Sequence, residues 1–317
     1  MGTGWIAERF VDSLHRHSSQ QVVAVGSRST DTAGAFAQRF ALPRAYGNYE
    51  ALVQDPNVDI VYVATPHNAH LQCAQLSIQA GKNTLIEKPL ALNAAQGRAI
   101  AEAAQARGLF CMEAYWTAFL PKFDIVRQIL ASDAFGEITS VVADFGERFP
   151  PEHRIFRQDL AGGPMLDLGT YLVSFAVDVL GTPDQINAAG TPTAAGVFGQ
   201  TAMIMTRGVQ QAVLHTTILA NTPTAATVAG THATLSIDGP FYQPGGFTLN
   251  AVEGGERLRH IESTIAHQGL HYQAAEVARR ISCGETGSPL RPLARSIEVL
   301  EVMDEIRHQT GDFFPDE

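Results

Sequence analysis

The chain has 317 residues, 45% of them hydrophobic and 17% charged, and 22 Lys+Arg against 32 Asp+Glu leave a net charge of −10. This composition excludes a disordered chain, and the length has room for about two domains of roughly 100–200 residues each. An acidic balance without a basic cluster argues against nucleic acid and against an anionic membrane surface, since the net field repels phosphate. No secretory-signal pattern and no run of about 18 apolar residues is found. The three cysteines, Cys73, Cys111 and Cys283, are widely spaced and read as reduced thiols of a cytoplasmic protein.

Over the first 120 residues, apolar runs of strand length alternate with Ala-rich segments of helical period, which predicts β-α-β units and a parallel sheet. The strands fall at 21–27, 60–64, 83–86 and 109–113, with helices near 5–17, 30–40, 49–54, 68–80 and 93–107. Gly2-Thr3-Gly4-Trp5-Ile6-Ala7 fits the G-x-G-x-x-G/A turn that brings a backbone and a helix N-terminus up to a pyrophosphate. The strand that such a turn normally follows is missing, because only Met1 precedes Gly2. Either the start is assigned several residues late, which is the preferred explanation, or the neighbouring strands lose a ladder partner.

The strand ending near Val25 leads into Gly26-Ser27-Arg28-Ser29, where a dinucleotide fold reads the adenosine ribose. Ser27 and Arg28 offer donors and positive charge suited to a 2′-phosphate, which favours NADP and leaves NAD as the alternative; Arg28 in a solvent-facing loop is the plainer explanation. Thr65-Pro66-His67, with His70 one turn on, follows the next strand at its ligand-binding carboxyl end, where Pro and Asn also serve ordinary turn and cap chemistry. Glu87-Lys88-Pro89 ends the third run and puts a cation at the same rim.

From about residue 121 the pattern changes to a helix near 122–132 and an alternating strand at 139–145, read as antiparallel, so the domains are set at 1–120 and 121–317. Between Gln185 and Ile237 the only charged residue is Arg207. Such a sheet either has both faces covered, one by a second subunit, or keeps a neutral Thr-rich face in water. A helical face at Leu293, Ile297, Leu300 and Met303 closes the chain. In the segment Gly162 to Tyr171, Asp167 and Tyr171 stand four apart on one predicted helical face. A carboxylate and phenol so placed can orient a substrate hydroxyl and move its proton, and a nearby ammonium such as Lys88 would favour phenolate; an acid near a helix N-terminus and a packed ring explain the same pair.

Taken together, G-x-G-x-x-A at 2–7, T-P-x-x-x-H at 65–70, E-K-P at 87–89 and G-G-x-x-x-D-x-G-x-Y at 162–171 resemble the Gfo/Idh/MocA family of NAD(P)-dependent oxidoreductases over nearly the whole chain. Met112-Glu113-Ala114-Tyr115-Trp116-Thr117 and the segment from Gly230 to Phe241 are most similar to its dihydrodiol and D-xylose dehydrogenase branch. The resemblance implies a Rossmann domain and an α+β domain with an open, mostly antiparallel sheet whose exposed face makes a homodimer. It implies Lys88 and Tyr171 as catalytic residues and Asp167, Trp116 and Phe145 at the substrate, with core packing an equal explanation for the two aromatics. The cofactor would lie on Gly2, Thr3, Gly4, Trp5, Ile6, Ser27, Arg28, Thr65, Pro66, His67, His70, Glu87 and Lys88, with no metal. The implied reaction is hydride transfer between nicotinamide and a secondary alcohol or carbonyl of a sugar, polyol or dihydrodiol. A non-catalytic NADP-binding regulator and an NAD-dependent glycosidase of the same fold are the rival readings.

Overall fold

The structure, a computed structural model, describes residues 1–262 and 269–314, and the chain divides into two units. One holds Met1–Phe119 and the described residues of Ala266–Ile297; the other holds those of Leu120–Ile265 and Glu298–Glu317. The boundary expected at 120 is close to the first crossing, but residues 269–297 return to the first unit, which the sequence reading assigned to the second domain. Polar contacts made across the whole chain length tie this return. Buried Ser13 Oγ accepts from His271 N at 3.1 Å, and Gln20 Nε2 donates to Ala274 O at 3.0 Å.

The first unit begins with α1 (Trp5–His17), β1 (Val25–Gly26), α2 (Thr30–Phe40), β2 (Ala45–Tyr46), α3 (Tyr49–Val53), β3 (Ile60–Val63), α4 (His70–Gln79), β4 (Asn83–Glu87), α5 (Ala94–Ala106) and β5 (Cys111–Ala114). β3, β4 and β5 form one parallel sheet, and β1 and β2 a second parallel pair. Met1 and Gly2 lie between them: Met1 N donates to Tyr62 O at 2.7 Å, Ala64 N to Met1 O at 2.9 Å and Gly2 N to Gly26 O at 3.0 Å. Two residues thus supply the pairing expected of a strand before the glycine turn. The strand expected at 21–27 is correspondingly short, because its partners, Gly2 on one side and Ala45–Tyr46 on the other, reach only Val25–Gly26. Beneath this region Ala7, Val11, Val25, Ala33, Phe36 and Leu42 pack into one apolar cluster, as the helical and strand periods require.

The second unit contains α6 (Pro121–Leu130), β6 (Ile138–Gly146), α7 (Thr170–Leu180), β7 (Gln185–Pro192), β8 (Phe198–Arg207), β9 (Gln210–Thr217), β10 (Ala226–Gly230), β11 (Ala233–Ile237), β12 (Gly246–Ala251) and β13 (Arg257–Ile261). Then α8 (His271–Ser282) lies in the first unit, and α9 (Leu293–Thr310) starts there and continues into the second. The eight-stranded sheet has the order β13-β12-β11-β10-β6-β9-β8-β7. β6 is antiparallel to β10 but parallel to β9, a correction to its expected direction; alternation reports which face is buried, not which way a neighbour runs. α7 packs on β6 and β9. By length and composition Gln158–Leu180 could cross a membrane, yet 89% of its apolar window is buried in the structure, as in a core helix.

At the end of β4, Glu87 is 5% exposed, accepts a hydrogen bond from the Tyr62 hydroxyl of β3, and receives Lys88 N at 3.2 Å. Burial pushes its carboxyl up from 4.5 to about 7, against the lowering effect of the Tyr62 bond and the Lys88 charge. With the folded value above the unfolded one, the native state keeps a proton that the unfolded chain releases. Stability therefore falls as pH rises from about 4.5 to about 7 and is level above that. Glu87→Gln is expected to abolish this slope and to gain up to roughly 3 kcal/mol on the wild type at pH 8. Denaturant unfolding of both proteins from pH 5 to 8 checks it; a gap that does not widen with pH overturns the buried acid.

Candidate active site

Parallel strands bring the loops at their carboxyl ends to one rim. α2, α3 and α5 are capped by the Ser29, Asn48 and Asn93 side chains, whereas α1 starts at Gly4 with no side-chain cap. The first N–H to bond within α1 is that of Glu8, to Gly4 O at 3.1 Å, so its leading amides face outward. A Cβ on Gly4 would meet no atom within 4 Å, while one on Gly2, at φ +92°, would lie 2.3 Å from Ala64 O. The turn is closed against β3 and open beside the helix end, which fits the pyrophosphate of a dinucleotide. Thr3 and Ile6 are half-buried, and Trp5 is exposed.

Beyond β1, Ser27 is buried with its N donating to Tyr46 O at 3.0 Å, and Arg28 is exposed; no acidic residue stands there. After β3, Thr65 and His67 are buried and Pro66 is half-buried. His70 is fully enclosed, with Nε2 3.1 Å from Thr65 O and Nδ1 2.9 Å from Pro89 O, and burial lowers its pKa. It joins the loop after β3 to the loop after β4. Lys88, between Glu87 and Pro89, is half-buried. Trp116, after β5, is buried at 3% exposure.

The second unit assembles its own group of expected residues. Residues Met165–Gly169 form a π turn that runs directly into α7, so Asp167 and Tyr171 are not related by the regular α-helical spacing that the sequence reading assumed. Tyr171 and Phe145, of β6, have ring centroids 5.8 Å apart. Tyr242 completes a triangle, stacked on Phe145 at 4.7 Å and 4.4 Å from Tyr171, and burial pushes its hydroxyl up to about 12. Arg154 Nη2 donates to Asp167 Oδ2 at 2.9 Å.

Lys122 holds the segment that carries Tyr242. Its buried ammonium donates to Phe241 O at 2.9 Å and also to Gln243 O, and burial lowers its pKa to about 8. The sequence reading did not single out Tyr242, Arg154 or Lys122 as site residues, and each is joined to its partner only by folding. For Tyr242 a local signal existed, since the aromatic pair Phe241-Tyr242 follows Gly239-Pro240. This unit offers a phenol, a carboxylate paired to a guanidinium, and aromatic walls, which together can seat a hydroxylated ring and move a hydroxyl proton.

Residues 1–115 match the family described as "Oxidoreductase family, NAD-binding Rossmann fold", and residues 123–236 match the "GFO/IDH/MocA C-terminal domain". The trans-1,2-dihydrobenzene-1,2-diol dehydrogenase of Danio rerio is 37% identical over 322 residues, 97% of this chain and 95% of the relative. That of Xenopus tropicalis is 34% identical over 320 residues, 98% and 97% of the two chains. Among solved structures, an aldose-aldose oxidoreductase from Caulobacter crescentus superposes with a TM-score of 0.87 at 21% identity, covering 97% of this chain and 95% of that one. A 3-ketoreductase from Actinomadura kijaniata, solved with NADP and TDP-benzene, gives 0.86 at 24% identity over 97% and 95%. With family models matched over residues 1–115 and 123–236, and with relatives above 30% identity along almost its entire length, this chain belongs to the GFO/IDH/MocA family of NAD(P)-dependent oxidoreductases.

Proposed function

We propose that the protein is an NADP-dependent dehydrogenase acting on a secondary alcohol of a cyclic dihydrodiol or a sugar. The observation that carries this reading is the Phe145, Tyr171 and Tyr242 triangle beside the Asp167–Arg154 pair. Flat apolar walls suit a six-membered ring, and a carboxylate nearby suits a vicinal hydroxyl. The dihydrodiol dehydrogenase relatives support the same substrate class.

When bound, NADP supplies hydride exchange at its nicotinamide ring. Tyr171 holds the proton that the substrate hydroxyl gives up on oxidation, or returns it on reduction. Lys88 stabilises negative charge developing on that oxygen. Asp167 orients the substrate, its own carboxylate directed by Arg154, and the aromatic triangle excludes water. The amides at the start of α1 and the Thr65–His67 loop seat the dinucleotide, and Ser27 with Arg28 binds the 2′-phosphate. The free thiols Cys73, Cys111 and Cys283 suit the reducing cytosol, where we place the enzyme.

A homodimer is part of the proposal. Val142, Val213 and Ile204 are register neighbours on β6, β9 and β8, and they are 53%, 46% and 47% exposed. Thr227 and Ser236 continue this row on one side and Asn187 on the other, so it carries no charge across six strands. A second copy of the same sheet would cover it.

Lys88→Met is expected to lower kcat for NADP-linked oxidation of trans-1,2-dihydrobenzene-1,2-diol by about 10²–10⁴-fold with NADPH affinity little changed; undiminished turnover removes Lys88 from the chemistry. Arg28→Ala should weaken NADPH about tenfold to a hundredfold and leave NADH nearly as before, as read by fluorescence titration. Equal losses for both would refute the phosphate contact. In sedimentation, Val213→Glu is expected to shift a wild-type dimer to monomer; a monomeric wild type rejects the paired sheets.

A further inference from the structure

β5 carries a buried carboxylate that the mechanism above leaves unused. Glu113 is 2% exposed, and its Oε2 accepts from Arg291 Nε at 2.8 Å and from Ser296 Oγ at 2.6 Å, with Arg291 Nη2 at 2.7 Å. Arg291 is itself 1% exposed and lies 4.4 Å over the Tyr115 ring. Such a pair gives up a large hydration energy, and apolar residues of equal volume would serve the packing as well or better. Its particular product is what the second oxygen does: Glu113 Oε1 accepts from Leu90 N at 2.9 Å.

Leu90 N–H is one end of a peptide group whose other end, Pro89 C=O, lies 2.9 Å from His70 Nδ1. The same plane is therefore gripped from both sides. Pro89 cannot relax the grip, because its ring fixes φ. Lys88 is the residue immediately before it. A lysine has a long flexible stem, so the origin and direction of that stem are what a protein can fix in advance.

We infer that Glu113, held by Arg291, is a positioning residue for Lys88, fixing the Pro89–Leu90 peptide from which the lysine springs. This rests on the role given to Lys88 above. The charge on Glu113 serves to make the Leu90 bond strong and directional, and Arg291 with Ser296 locks the carboxylate so that one oxygen is aimed at the amide.

The test uses the full-length enzyme, trans-1,2-dihydrobenzene-1,2-diol and NADP, with Glu113→Leu and the paired change Glu113→Leu/Arg291→Met, which leaves no lone buried charge and keeps the protein folded if the single variant does not. Each is made with Lys88 intact and in a Lys88→Met background. With Lys88 intact, kcat should fall by about 10²-fold while KM and the NADPH dissociation constant change less than about threefold. In the Lys88→Met background the same change should cost less than about threefold more, because the two residues act through one group. Glu113→Gln, which keeps an acceptor for Leu90 N, should retain most of the activity lost in Glu113→Leu. Equal proportional losses in both backgrounds, or an unaltered kcat in the paired variant, overturn the inference while the Lys88 mechanism stands. Undiminished turnover in Lys88→Met alone overturns both.

Discussion

The peptide between Pro89 and Leu90 is held at both ends, its carbonyl 2.9 Å from the His70 ring and its amide 2.9 Å from the Glu113 carboxylate, and three parallel strands meet there. His70 also reaches Thr65, just past β3; Pro89 follows β4; Glu113 belongs to β5. A buried peptide needs partners for both its groups, and here that need registers three strand ends against one another. The glycine turn is fixed by a comparable constraint, since Gly2 presses against Ala64, the residue that pairs with Met1. The rim of the first unit is therefore a set of backbone positions held by hydrogen bonds, and its side chains inherit that precision.

The second unit reaches the same end by other means. The Tyr242 ring packs against both Phe145 and Tyr171, and the segment bearing it is tied by the ammonium of Lys122. Glu262 adds to the tie by accepting from Lys122 N at 2.7 Å and from Gly245 N at 3.3 Å. Aromatic contacts alone tolerate sliding, whereas hydrogen bonds to a buried cation are directional. The combination gives apolar walls with the rigidity of a polar network.

Legibility in the sequence followed distance along the chain. α1 and α2 were readable to the residue, and the Glu87-Lys88-Pro89 and Thr65-Pro66 turns were placed at strand ends, because period and turn chemistry are local. The parallel β6–β9 pairing was not, since alternating burial is the same for either direction. Arg291 reaches Glu113 across 178 residues, and Lys122 reaches Phe241 across 119; nothing in either neighbourhood announces its partner. The short β1 was misjudged for a related reason, because a run of valines fits a strand but only the available ladder partners set its length.

The π turn at Met165–Gly169 lies where Asp167 stands and leads unbroken into the largely buried α7. A turn of this kind carries one residue more than its α counterpart. Loss of a single residue within that turn would restore regular winding with the segments on either side still in phase, so the change would be confined to the turn that carries Asp167 and would leave the packed helix untouched. Insertion or deletion at this point thus acts as a discrete dial on where the Asp167 carboxylate is carried, and it does so without disturbing the hydrophobic interior that keeps the unit folded.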